Sequence, residues 1–221
     1  MIKKLKHFFT YELIKKTHSP INGTIKVVYA FNRPRLIIGD MVQSGGMVKQ
    51  IWEKAIFKFK KDNPHAKVKN ILIIGLGCGD CAFSIQKHFP QAKMTGIEID
   101  KHVINVAKCH FNLASVKNLN IAIADGIQYV AEKAKQKKPQ KYDLVIIDVY
   151  LGKKMPKPFK TKKFLNNLIK LLNKDSTIIF NHLFFKHHKQ KAKEFITTLE
   201  SIFSNISLQR TAANMLIFLK Q

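Results

Sequence analysis

Apolar positions along this chain follow two rhythms. From Ile71 onward, short runs that are apolar nearly throughout ("NILIIG", "KMTGIEI", "NIAIA", "YDLVIID" and "STIIFN") alternate with longer stretches whose apolar residues recur every three or four positions ("CAFSIQKHF", "KHVINVAKCHFNLA", "GIQYVAEKAKQ" and "TKKFLNNLIKLLN"). Unbroken apolar runs of that length predict parallel strands covered on both faces, and the wider spacing predicts the amphipathic helices that cover them. A further helix, "HHKQKAKEFITTLESIF", is followed by "ISLQR" and "NMLIFLK", two β-rich segments only a few residues apart. So short a connection forces an antiparallel hairpin. The pattern predicts an α/β fold: a doubly wound seven-stranded sheet with a terminal antiparallel hairpin.

The first 46 residues have a different rhythm. "TIKVVYAF" and "RLIIGDMV" are β-rich, and "NRP" between them reads as a turn. Upstream, "MIKKLKHFFTYELIKK" reads as a basic helical segment whose Phe8, Phe9, Leu13 and Ile14 pack on the domain or form a dimer contact. "MVKQIWEKAIFKFKK" then predicts an amphipathic helix leading into the sheet. The expected organisation is an appendage over residues 1–46, built of a basic helix and a β-hairpin, and an α/β domain over residues 47–221.

Composition narrows the function classes. No apolar run reaches the roughly 18 residues of a membrane-spanning helix, and three cysteines give no disulfide framework. A cytoplasmic protein is the expectation. Lysine and arginine total 39 against 14 acidic residues, a net charge of +25, yet only Arg33, Arg35 and Arg210 are arginines. Lysine without arginine suits bidentate recognition of bases and phosphates poorly, and the lysines are spread along the chain. The excess is read as solvated surface, which favours a small-molecule acceptor over nucleic acid; RNA stays open as an anionic partner.

The chemistry concentrates after the first strand of the α/β domain. In "ILIIGLGCGDCAF", Gly75, Gly77 and Gly79 stand at alternate positions between strand and helix, where bare backbone lets a ligand approach. Glu98 ends the next strand, where a carboxylate can accept hydrogen bonds from both hydroxyls of a ribose. Asp125 follows the third strand and either caps the next helix or faces a ligand, or both. A dinucleotide fingerprint would need a third glycine three positions after the second, and residues 75–79 do not supply it. The loop, the two acids and the terminal hairpin together resemble the class I S-adenosylmethionine-dependent transferases, with their Rossmann-like sheet.

Over nearly the whole chain the resemblance is closer to the spermidine synthase (polyamine aminopropyltransferase) family and its methyltransferase-like relatives. "RLIIGDMVQSG" resembles the family's N-terminal hairpin, "GLGCGD" its glycine loop, "GIEID" its Val-Glu-Ile-Asp, and "YDLVIIDVYLGKKMP" its strand-four segment. The resemblance implies a donor, S-adenosylmethionine or its decarboxylated form, held by Gln43, Gly75, Gly77, Gly79, Asp80, Glu98, Asp125 and Gly126. Asp80 would lie near the amine of the decarboxylated donor. Asp148 would act on the acceptor as base or orienting group, and Trp52, Tyr150 and Asn181 would line the acceptor pocket.

The chain also departs from the family. The acidic stretch expected around residues 48–54 reads "VKQIWEK": Lys49 stands for an acid, Trp52 for a tyrosine and Lys54 for a glutamate, while Leu151 replaces the second aspartate of the strand-four segment. Each change weakens a polycation pocket, so methyl transfer is favoured over aminopropyl transfer. A true aminopropyltransferase and a non-catalytic RNA-binding relative are the alternatives. Cys78-Gly-Asp-Cys81 has no partner pair with metal-ligand spacing, and no metal is expected; His182, His187 and His188 read as a solvated basic helix start.

Overall fold

The computed structural model describes residues 11–152 and 154–220. Four strands open it: β1 (Glu12–Ser19), β2 (Gly23–Ala30), β3 (Arg33–Ile38) and β4 (Met41–Ser44), joined in sequential order into an antiparallel sheet. The expected hairpin is thus half of a larger unit. "RLIIGDMV" is divided by a turn at Gly39, whose φ is +61°. Residues 1–10 of the expected basic helix lie outside the described residues, and its remainder is corrected: the segment from Glu12 is a strand. Backbone pairing to β2 decides that segment, because Leu13 and Ile14 find no core and remain exposed. Helix α1 (Met47–Asp62) follows, burying Trp52, Ala55, Ile56 and Phe59 on one face.

The second sheet has the order β10-β11-β9-β8-β5-β6-β7. Its strands are β5 (Asn70–Ile74), β6 (Lys93–Glu98), β7 (Leu119–Ile123), β8 (Tyr142–Ile147), β9 (Leu172–Leu183), β10 (Asn205–Arg210) and β11 (Asn214–Lys220). Strands β5 to β9 are mutually parallel; β11 runs antiparallel to β9, and β10 to β11. Helices α2 (Asp80–His88), α3 (Lys101–His110), α4 (Gly126–Ala134), α5 (Lys162–Ile169) and α6 (His188–Glu200) complete the α/β units. The periodicity of "TKKFLNNLIKLLN" overran the helix, which stops at Ile169 because Leu172 is already committed to β9.

Strand β5 shows why these runs are apolar throughout. Ile71 and Ile73 enter one buried cluster with Trp52 and Ile85, whereas Leu72 and Ile74 enter the cluster on the other face with Val145 and Phe180. Successive side chains point to opposite faces, so a doubly covered strand must be apolar at every position. Among the described residues no helix is long and apolar enough to cross a membrane.

The N-terminal sheet docks on the loops that leave the carboxyl ends of β5 and β6. Ser19 Oγ donates to Asp100 Oδ2, as does Asn22 Nδ2 at 2.7 Å, and Asp100 Oδ1 in turn caps α3 by accepting the His102 N–H at 2.9 Å. After β4, the Gly45 N–H donates to Asp80 Oδ2 at 2.7 Å, and Ser44 Oγ accepts the Cys78 N–H at 3.2 Å.

Candidate active site

The chain winds from β5 outward to β7 and then returns to place β8 on the other side of β5. The loops after β5 and β8 therefore part, and a crevice opens between them at the carboxyl edge. Gly75 lies where the two strand ends come nearest. A Cβ there would sit 2.1 Å from the Asp148 carbonyl oxygen, and φ is +84°. Gly77 (φ +55°) forms the crevice floor, its Cβ position 3.2 Å from Ser44 Oγ.

The carboxylate of Glu98 organises this floor. Its Oε2 accepts the Gly77 N–H at 2.9 Å and its Oε1 accepts the Asp100 N–H at 3.1 Å. Burial raises its pKa, and these hydrogen bonds oppose the rise. Asp125 caps α4, accepting the Ile127 and Gln128 N–H groups at 2.7 and 3.2 Å, both through Oδ1. Asp80 caps nothing: it is the first residue of α2, is buried, and ties the glycine loop to Gly45. Burial raises its pKa as well, against the Gly45 hydrogen bond and the charge of Lys49.

On the opposite wall, Asp148 follows β8. Trp52 Nε1–H donates to its Oδ2 at 2.8 Å and Asn181 Nδ2–H to its Oδ1 at 2.8 Å. Asn214 Nδ2–H donates to Asn181 Oδ1 at 2.8 Å, which fixes the orientation of that amide. Burial raises Asp148 to about 6, against the Asn181 and Trp52 hydrogen bonds and with the help of the Asp80 and Glu98 charges. A carboxylate in that range is ionised about ten to one at pH 7, yet basic enough to take a proton. The Tyr150 hydroxyl donates to the Asn181 carbonyl at 2.7 Å and accepts the Leu183 N–H at 2.8 Å. Burial raises its pKa well above the usual phenol range, so Tyr150 braces β9 and is no acid–base group.

One cleft of about 680 Å³ brings these residues together. Gly75, Gly77, Asp80, Glu98, Asp125 and Gly126 line it, and so do Gln43, Trp52, Asp148, Tyr150 and Asn181. Gln43 Nε2–H donates to the Gly152 carbonyl at 3.2 Å, bridging β4 to the β8–α5 connection. Gly79 is absent from the cleft: it holds the left-handed N-cap of α2 and abuts Leu113. Sequence reasoning missed Ser44, Asn214, Arg35 and Arg210, all at the cleft. For Asn214 there was a signal, a polar residue opening a strand whose next five residues are apolar.

The histidine reading needs correction. His182 and His188 are buried and only His187 is exposed, because β9 extends two residues beyond Asn181 and carries His182 inward. Cys78 and Cys81 are free, buried thiols whose pKa values burial raises. Among the described residues no group of three or more His, Cys, Asp or Glu side chains could hold a metal ion.

Sheet order and crevice together define a Rossmann-like α/β fold of the methyltransferase type. Residues 49–217 match the model of the spermine/spermidine synthase domain, and the chain belongs to that family. It is 31% identical over 117 residues to the mouse (Mus musculus) eEF1A lysine and N-terminal methyltransferase, covering 50% of this chain and 17% of that protein. Against the polyamine aminopropyltransferase of Vibrio vulnificus it is 30% identical over 115 residues, 52% of this chain and 38% of that protein. The matched stretch is thus well under half the length of either relative. Among solved structures, a spermidine synthase bound to the transition-state analogue AdoDATO superposes with a TM-score of 0.75 at 18% identity, covering 95% of this chain and 73% of that one. Human methyltransferase-like protein 13 in complex with SAH gives 0.66 at 21%, covering 79% and 82%. Both superpositions speak to the fold.

Proposed function

We propose that the chain is an S-adenosylmethionine-dependent transferase of the spermidine synthase-like group that moves a methyl group to an acceptor other than a polyamine. The crevice fits the donor: Gly77 presents bare backbone, a buried carboxylate ends the neighbouring strand, and the cleft beyond has room for a nucleoside and an acceptor. Gln43, Gly75, Gly77, Asp80, Glu98, Asp125 and Gly126 would hold it, with Gly79 shaping the loop from behind. The bound donor supplies a carbon activated by an adjacent sulfonium. Asp148 orients the acceptor nucleophile and takes its proton, and Trp52 and Asn181 keep the carboxylate aimed.

The observation that carries this reading is the surroundings of Asp148. Its partners are an indole and an amide, and the replaced positions Lys54 and Leu151 line the same cleft together with Arg35 and Arg210. A polycation would meet these three cations alongside the carboxylates of Asp40, Asp80, Glu98, Asp125 and Asp148, where an aminopropyltransferase pocket calls for acids in place of Lys54 and Leu151. The scarcity of arginine, three residues in the chain, supports a small acceptor over a nucleic acid. The test is incubation with putrescine and each donor, read by mass spectrometry. Spermidine formed from the decarboxylated donor would overturn the proposal.

Aminopropyl transfer is the second reading, favoured by Asp80 lying buried against the glycine loop, where a carboxylate attracts an ammonium. Calorimetric titration of Asp80→Asn separates the two. If Asp80 reads the amine of the decarboxylated donor, that donor alone loses about tenfold or more in affinity.

A further inference from the structure

A second cavity, of about 350 Å³, opens on the outer side of the β8–α5 connection, between it and α6. Lys154, Lys157 and Lys160 of the connection and Lys191 of the first turn of α6 line it; Glu194 is the one carboxylate in its wall among the described residues. None of the four lysines has a carboxylate within ion-pair distance among the described residues. The amino end of the 13-residue α6 adds its partial positive charge.

The cavity has a built floor. His182 Nδ1–H donates to the Leu183 carbonyl at 2.8 Å, so Nε2 carries the lone pair and accepts from Lys160 Nζ, also at 2.8 Å. Burial, with Lys160 nearby, pushes His182 down to about 4, so the ring is neutral at physiological pH. Lys160 Nζ also lies 5.5 Å from the centre of the Phe195 ring. A neutral imidazole and an aromatic face thus fix one ammonium half-buried, with the other three around it exposed.

We propose that this cavity is a binding site for a small phosphorylated molecule, distinct from the main cleft, with which it shares only Tyr150 and Leu183 in its wall. Compact ammonium groups suit phosphate oxygens, which accept several charge-assisted hydrogen bonds at once. The apolar part of the lining, Phe195 and Met155 with Tyr150 beside them, suits the body that carries the phosphate. The volume falls in the range of single-ligand sites, whereas a nucleic-acid strand needs a charged track with stacking platforms along it.

The test is titration of the full chain with ribose 5-phosphate, ribose, inorganic phosphate and a 12-nucleotide RNA, followed by the NMR shifts of the His182 ring and by calorimetry. Ribose 5-phosphate should shift His182 and bind at least about tenfold more tightly than ribose or inorganic phosphate. Lys157→Ala combined with Lys191→Ala, both exposed positions, should weaken it about tenfold with unchanged thermal unfolding. Glu194→Gln should tighten it. The site is refuted if ribose 5-phosphate binds no better than ribose, if the double variant binds it equally well, if S-adenosylhomocysteine displaces it, or if RNA alone moves His182.

Discussion

The two walls of the main cleft are built on different principles. The wall proposed for the donor is backbone: a glycine loop whose shape is imposed by what surrounds it, with carboxylates of Glu98 and Asp125 each holding main-chain N–H groups. The wall proposed for the acceptor is side chain: Asp148, Trp52, Asn181 and Asn214 in one hydrogen-bonded line drawn from three strands' ends and a helix. A backbone wall tolerates little change and can serve any acceptor. A side-chain wall can be rewritten residue by residue, and Lys54 and Leu151, both at the cleft, are the positions where we propose such rewriting.

The largest effect should come from the backbone wall. Gly75→Ala places a methyl group 2.1 Å from the Asp148 carbonyl at a left-handed φ, and strain of that kind should cost at least about 3 kcal/mol of stability. Thermal unfolding and loss of donor binding check it; a stable variant with full binding would refute the close approach of the two strand ends. Next, Asp148→Asn should lower turnover about 10²- to 10⁴-fold while donor affinity, measured by calorimetry, changes less than twofold. Equal losses in both would merge the two walls into one site.

The acidity of Asp148 sharpens the contrast. The folded chain holds this proton to about 6, against 3.8 for an unperturbed aspartate. Between those values the folded state binds more protons than the unfolded one, so stability falls as pH rises and the deficit is complete above pH 6. Its ceiling is about 3 kcal/mol, reduced by whatever water the cleft admits. Asp148→Asn should flatten the stability profile over that window, and the activity of the parent protein should rise with pH through about 6. Trp52→Phe removes a hydrogen bond that favours the ionised form, so the activity limb should move to higher pH and turnover at pH 7 fall about tenfold. An unmoved limb would mean that Asp148 is not the titrating group. The smallest effect is a gain: Lys54→Glu with Leu151→Asp should improve putrescine affinity by up to about tenfold, and no gain would place the polyamine-excluding feature elsewhere.

Much of this was legible without coordinates. Strands β5 to β11, helices α1 to α6, the glycine turn, Glu98 and the dual position of Asp125 follow from short-range pattern, because burial on one or two faces repeats with the period of the backbone. The misreadings are of another kind. Strand β1 looked helical because its lysines and apolar residues suit either state until β2 pairs with it. His182 looked solvated because nothing within a few residues shows that β9 continues past Asn181.

By itself, the sequence determined the order of the elements, the doubly covered sheet and the crevice at the end of its first parallel strand. Tertiary structure alone decided that Trp52 meets Asp148 across 96 residues, that Asp80 serves Gly45 instead of capping its helix, and that Lys160 rests on His182. Periodicity is a local property and is written along the chain. A hydrogen bond between distant residues depends on where whole elements come to rest, and packing sets that.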